Sequence, residues 1–391
     1  MADADPPEEL VGLAADLVSI PTENPPGDER PAAEFVAEWF GDRGIDAALV
    51  ETPDPDRPQV VAEVGEGDPT LVLNGHLDVV PAGDSDRWRH DPYAGVVEDG
   101  RLYGRGSADM KTNLAIAVLA VRDLAEEIEA GDLGGSLVFQ AAMGEETGDP
   151  GTRRLLEAGY DGERAVVLEP TDFRVGTSAK GVATYRVRVE GSASHASRPD
   201  QGTNAIAAAR PVLAAVADYD ERVREREDPL VGRAYATVTE FEAGTDSNMA
   251  VVPDRAAFLL DRRILPEEDF EGVDAEIEAL LAAVERDAGV ETDRSLIQHY
   301  ASAGIPADSP LAARFRHHSA AVADAAAEPW GLEAATDARE FVARDVPAIV
   351  WGPGSLAQAH AVDESIDLGD AALGLEILKR ATRELLSGGN G

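Results

Sequence analysis

Three short apolar runs, each ending in a residue type that binds metals, constrain this chain more than anything else in it. Leu71-Val72-Leu73-Asn74-Gly75 leads into His76-Leu77-Asp78, Ser136 to Ala142 into Met143-Gly144-Glu145-Glu146, and Ala165 to Leu168 into Glu169-Pro170. Short continuous apolar runs that alternate with helical patterns read as buried strands of a largely parallel sheet. The segment from Lys111 to Glu129, with its helical apolar period, supplies one such crossover, so βαβ units are expected. On a strand, residues i and i+2 face the same way, so His76 and Asp78 project together from its carboxyl end. There a carboxylate can hold one imidazole nitrogen while the other binds a metal. A His and several acids, each closing an apolar strand, point to a hydrolytic metal site on an α/β scaffold.

Composition narrows the setting. The 391 residues exceed what one core ordinarily serves, so two domains are expected. Asp and Glu number 75 against 34 Lys and Arg, a net charge of −41, and the lysines are only Lys111, Lys180 and Lys379. Acid excess with so little lysine indicates a protein adapted to high salt, where carboxylate repulsion is screened. An acidic disordered chain is excluded, because 44% of residues are hydrophobic and patterned segments run throughout. No basic patch favours nucleic acid. With no cysteine, disulfides and thiolate metal sites are excluded, so any metal is held by His, Asp and Glu. The longest apolar run, Leu114 to Val121, is far short of the roughly 20 residues that span a bilayer. Met1 to Pro7 has no signal-peptide character, so a soluble cytoplasmic protein without a membrane partner is expected.

The pattern divides the chain in three. Residues 1–179 read as the first segment of a catalytic α/β domain. Within it, Val80 to Gly106 is a long loop of the kind that usually carries function. Near Lys180 the pattern changes: Val182 to Val189 alternates strictly, as in a half-exposed antiparallel strand. The β-α-β-β-α order that follows predicts a ferredoxin-like α+β insert over 180–291. Residues 292–391 then return to the α/β domain. The fold class expected is α/β, a mixed and mostly parallel sheet flanked by helices, with that insert.

The ligand types available are His76, Asp109, Glu146, Glu169 and one further His. Imidazole and carboxylate suit zinc and other divalent cations, and a bridging carboxylate holds two ions at about 3.5–4 Å. In an adjacent pair such as Glu145-Glu146, one acid can ligate while its neighbour serves as a general base. Glu169 is notable because an acid closing a buried strand needs a partner. Lys111, two residues after Asp109, is placed to tune a site carboxylate, and Lys180 to anchor a hinge.

Taken in order, His-X-Asp, Gly104-Arg-Gly-Ser-Ala-Asp-Met-Lys111, Glu-Glu and Glu169-Pro-Thr171 resemble a known set. The chain resembles, over essentially its whole length, the two-zinc deacylase and exopeptidase family. That family includes acetylornithine deacetylase, succinyl-diaminopimelate desuccinylase, aminoacylase and the glutamate-releasing carboxypeptidases. The resemblance implies that His76 binds one metal and Asp78 orients it, that Asp109 bridges both metals, often before a non-proline cis peptide, and that Glu145 is the general base. It implies Glu146, Glu169 and His360 as the remaining ligands. Two divalent ions follow, zinc first, with cobalt or manganese as alternatives.

In relatives the insert is a lid and dimerisation domain, with the pattern Gly-X-X-X-His-X-X-X-Pro that Gly191 to Pro199 reproduces. Its His stabilises the oxyanion in a partner subunit's site, a role the resemblance gives to His195 in a homodimer. The substrate carboxylate is expected at Arg263, Asn248, Thr336 and Arg339. Two departures fall in that pocket. Ala250 replaces the usual Asn before Val-Val-Pro, and Ala334-Ala335 replaces the usual glycines before Thr336-Asp337-Ala338-Arg339. His90 reads as lining the entrance, and His299, His317 and His318 as surface or packing residues. The expected activity is hydrolysis of the amide bond of an N-acyl amino acid, as in amino-acid biosynthesis, with a dipeptidase or carboxypeptidase of the same family as the alternative.

The charge balance has a direct test. Between about 1 M and about 0.1 M salt the screening length grows from about 3 to about 10 Å. The melting temperature should therefore fall as salt is withdrawn, and a Tm indifferent to salt would contradict the halophilic reading.

Overall fold

The computed structural model describes residues 6–244 and 249–387. It divides into two compact units. One comprises residues 1–177, 305–331 and 336–391, and the other residues 178–304 and 332–335.

The first unit is built on a mixed sheet. From one edge its strands are Ala47–Val50, Gln59–Gly65, Ser136–Ala142, Thr70–His76, Arg164–Val167, Ala348–Val350 and Gly176–Ala179. The central pairings, Ser136–Ala142 with Thr70–His76, Thr70–His76 with Arg164–Val167, and Arg164–Val167 with Ala348–Val350, are parallel. The outer pairings are antiparallel. Strand Thr70–His76 is buried from its second residue to its last, which requires cover on both faces. Helix Thr112–Glu129 provides much of it: its first ten residues are all buried, and it packs between Glu8–Val18 and Leu368–Ser387. Leu114, Ile116, Leu119 and Phe139 belong to the core so formed. Among the described residues no helix is long and apolar enough to cross a membrane.

Register positions the site. His76 lies opposite Ala142, and Asn74 opposite Val167, so three neighbouring parallel strands end within two residues of one another. The residues just beyond those ends, His76 to Asp78, Glu145-Glu146 and Glu169, therefore gather at the carboxyl edge of the sheet, where open α/β folds hold their ligands.

The long loop from Val80 to Gly106 has more order than its sequence announces. Strands Val96–Glu98 and Arg101–Tyr103 pair with each other, and Arg101–Tyr103 also pairs with Ser365–Asp367. Three-residue strands carry too little periodicity to be read from sequence.

The second unit runs β-α-β-β-α-β. Its strands, in sheet order, are Tyr235–Ala243, Arg255–Ile264, Gly181–Glu190 and Thr292–Tyr300, all paired antiparallel. The alternation along Gly181–Glu190 sends Tyr185, Val187 and Val189 inward against Val212, Val216, Ile277 and Leu281. The helices Ala205–Val223 and Phe270–Ala288 start at Asn204 and Asp269, whose side chains accept from their first-turn amides. The unit extends past residue 291, where the sequence pattern predicts a return to the α/β domain. Thr292–Tyr300 is its fourth strand, but a register shift between Leu296 and Gln298 breaks the alternation that would have revealed it.

A close backbone approach yields a test. A Cβ built on Gly151 falls 2.0 Å from the carbonyl oxygen of Met143, just before the Glu145-Glu146 turn. Gly151→Ala must push that segment, so it should cost about 1–3 kcal/mol and lower activity. Denaturant unfolding and turnover measured together check this, and unchanged values would refute the packing argument.

Candidate metal centre

Each expected ligand of the first unit reaches one place at the sheet's carboxyl edge. His76 is buried, and its Nε2 lies 3.2 Å from Asp109 Oδ1. The other oxygen of Asp109, Oδ2, is 3.6 Å from His360 Nε2, which is also 3.0 Å from Glu146 Oε2. His76, Asp109 and Glu146 offer ligand atoms that all lie within 4.8 Å of one another. Glu169, 5% exposed, lies close enough to Asp109 for the two carboxylates to affect each other's charge. Asp109 thus turns one carboxylate oxygen to each of two imidazoles. The peptide bond from Asp109 to Met110 is cis.

The electrostatics call for a cation. Burial pushes the Glu145 carboxyl up to about 8, aided by the charge of Asp337, and Glu169 is raised well above its usual range by burial and by Asp109. Burial works against a charged His76 ring, but the neighbouring carboxylates of Asp109 and Asp78 outweigh it and its pKa is raised. Asp109 is lowered despite burial, chiefly through its hydrogen bond with His76. A knot of buried oxygens without a compensating charge is costly. Oxygen and imidazole donors at these separations suit divalent ions.

Asp78 does more than stand beside the His76 ring. His76 Nδ1 lies 2.8 Å from the backbone carbonyl of Asp78, with the carboxylate oxygen farther away at 3.6 Å. The carboxylate instead accepts hydrogen bonds from the backbone N–H groups of Glu145 and Glu146, each at 3.1 Å. It therefore ties the His76 strand to the turn that carries both acids. Asn24 completes the tie, donating to Asp78 Oδ2 at 2.9 Å and to Thr147 Oγ1 at 2.7 Å. Sequence reasoning passed over Asn24, although an Asn between Glu23 and two prolines is a signal of a fixed loop. That loop is held by Asn24 N–H to the Val79 carbonyl and Val79 N–H to the Thr22 carbonyl.

The Asp109 segment follows Gly106, whose φ of +85° favours glycine and where a Cβ would meet Val79 at 2.7 Å. Glu364 is fully buried beneath it. Lys111 is buried as well. Burial pushes its amine down to about 7, against the pull of the Glu364 and Asp78 charges, and Nζ donates to the Ile20 carbonyl. Lys180, in the second unit, is buried too, with its ammonium 4.9 Å from the Tyr235 ring centroid and 3.8 Å from Glu333.

The expected substrate contacts divide between the units. Thr336 and Arg339 belong to the first and are both buried. Arg339 pairs with Asp337 at 2.9 Å and with Glu340 at 3.3 Å, and its Nη1 is 3.9 Å from Glu145 Oε1. It thus faces the protein's own acids, Glu145 among them. Arg263, in the second unit, is partly exposed and bonded to Asp261 at 2.8 Å. Asn248 lies outside the described residues. His195, also in the second unit, is exposed, and its Nδ1 accepts from the Ser197 N–H at 3.1 Å. That bond leaves the ring proton on Nε2, so His195 presents an N–H donor. Of the other histidines, His90 meets Glu98, His299 stacks on Phe270, and His318 meets Glu384.

The model of peptidase family M20/M25/M40 matches residues 72–384 of this chain. A probable succinyl-diaminopimelate desuccinylase of Staphylococcus epidermidis is 28% identical, over 92% of this chain and 93% of its own. The succinyl-diaminopimelate desuccinylase of Methylobacterium radiotolerans is 38% identical, over 52% of this chain and 55% of its own. Among solved structures, an M20 family metallo-carboxypeptidase of Sulfolobus solfataricus superimposes with a TM-score of 0.77 at 18% identity, covering 95% of this chain and 99% of that one. This last likeness is one of fold.

The donor set is tested by adding metal. A divalent ion such as cobalt at about 100 times its Kd should stabilise the chelator-treated protein by about 2.7 kcal/mol, read as a rise in Tm. A melting curve unmoved by the ion would remove the metal centre.

Proposed function

This chain belongs to peptidase family M20/M25/M40, a metallohydrolase acting on amide bonds, and on that premise we propose that it deacylates a small N-acyl amino acid. The observation that carries the reading is Asp109, with one oxygen toward His76 and the other toward His360, beside Glu145-Glu146. Glu146 and Glu169 complete a set for two divalent ions, zinc foremost. The desuccinylase similarity along nearly the full chain favours an acyl group bearing a carboxylate.

Bound divalent ions supply Lewis-acid polarisation of the scissile carbonyl and lower the pKa of an attacking water. Glu145 accepts the proton that water loses as it adds to the carbonyl carbon. Burial holds the Glu145 carboxyl high, and a divalent ion held by the neighbouring ligands would lower it. Asp78 holds the Glu145 amide, and Arg339 faces its carboxylate, so the base is fixed before substrate arrives. As the C–N bond breaks, Glu145 passes the proton to the amine nitrogen, leaving a free amine and a carboxylate. His195, with its proton on Nε2, is assigned to the tetrahedral oxyanion, contributed across a homodimer through the second unit. Arg263 is assigned to the substrate carboxylate, with Thr336 and Asn248 beside it. The working environment proposed is a cytoplasm of high salt.

Two measurements test this. Glu145→Gln should keep its metal while kcat falls by about 10²- to 10⁴-fold, and retained turnover would remove Glu145 as base. With the unmodified enzyme in high salt, amine release from N-succinyl and N-acetyl amino acids is compared with cleavage of dipeptides. Turnover of the acyl compounds supports the proposal, whereas cleavage of dipeptides alone would replace it with an exopeptidase.

A further inference from the structure

We propose that Glu364, together with Arg105, is a positioning residue that sets Asp109 and His360 as a preformed pair and so fixes the affinity of the ion those two would share. The inference rests on the metal-centre reading above, and its test reads ion release rather than turnover.

Glu364 is a fully buried carboxylate with four donors aimed at it. Its Oε1 accepts from the backbone N–H groups of Ala108 at 2.8 Å and Asp109 at 3.0 Å. Its Oε2 accepts from the Gly106 N–H at 3.1 Å and from Arg105 Nη1 at 2.6 Å. The segment carrying Asp109 is therefore wrapped around one side chain that comes from the far end of the sequence. In return, the backbone carbonyl of Glu364 accepts from the Gly104 N–H at 3.0 Å.

The same residues hold His360. Arg105 uses its other terminal nitrogen, Nη2, on the His360 carbonyl at 3.4 Å. His360 has φ of +61° and Asp363 φ of +59°, left-handed values uncommon for a residue with a side chain. The Asp363 carboxylate accepts from the Arg89 N–H at 2.6 Å. Four residues after His360, Glu364 thus ends this loop and anchors it to the Asp109 segment. The two ligands come from chain positions 251 residues apart, His360 against Asp109, and this clamp holds their separation at 3.6 Å.

The chemistry requires a carboxylate. Ionised, it only accepts hydrogen bonds, and four donors converge on it. Glutamine has almost the same shape but turns an NH₂ toward N–H donors, so it cannot satisfy both sides of the clamp. Partners that orient metal ligands typically change metal affinity by about 10- to 100-fold when replaced.

The test uses the full-length enzyme loaded with cobalt and titrated with a chelator, with release followed by the cobalt absorption bands. In Glu364→Gln, one equivalent, which loses the fixed positions of both His360 and Asp109, should leave at about 10- to 100-fold lower chelator activity than in the parent, while the other, which loses only that of Asp109, should be loosened clearly less. Glu364→Asp should recover part of the loss. If Glu364→Gln does not fold, Arg105→Lys serves, because it keeps the charge and removes the bridge to His360. It should loosen the same equivalent. Release of both equivalents at parent values in either variant would overturn the proposal. So would equal loosening of both in step with a fall in Tm, which is what a purely structural role predicts. An enzyme that hydrolyses none of the acyl compounds leaves this readout intact.

Discussion

The arrangement depends on bringing several carboxylates out of water to one spot while leaving them without enough positive charge of their own. Asp109, Glu145, Glu146, Glu169 and Asp337 lie close together, faced by His76, His360 and the already engaged Arg339. Such a cluster is tolerable only if a cation completes it or if protons are taken up, and the raised carboxyls of Glu145 and Glu169 show the second response. Everything around the centre keeps these oxygens in place against their mutual repulsion.

Three ties do so, each joining distant parts of the chain. The Asp78 carboxylate carries the Glu145-Glu146 turn on its two oxygens. Asn24 locks that junction from the N-terminal loop, and Glu364 holds the Asp109 segment from the C-terminal side. Beyond Asn24 the network continues through Thr147 and Asp149 to Arg57, whose guanidinium makes a two-pronged contact with the buried Glu29. Backbone amides supply many of the donors, so the centre is held by the fold itself and not only by mobile side chains. This is the condition for a base and its ligands to stand within a few tenths of an ångström of a working geometry.

The acids at this edge of the sheet also engage a guanidinium of the chain's own. Arg339 lies against Asp337 and Glu340 and beside Glu145.

The sequence by itself determined the strands that end at His76, Glu145-Glu146 and Glu169, because buried parallel strands are continuous apolar runs and a polar residue at their ends stands out. It also determined the metal chemistry, since without cysteine only His and carboxylates remain. Only the tertiary structure decided that Asp78 grips the Glu145-Glu146 turn through its carboxylate, that Arg339 faces the protein's own acids, that Thr292–Tyr300 completes the second unit, and that Glu364 holds the Asp109 segment. Each of these depends on contacts between residues far apart in the chain, or on a bulge that erases the two-residue period. Local pattern reports which face of a strand or helix is buried. It carries no information on which distant donor will meet a given carboxylate, because that is fixed by packing and register across the whole sheet.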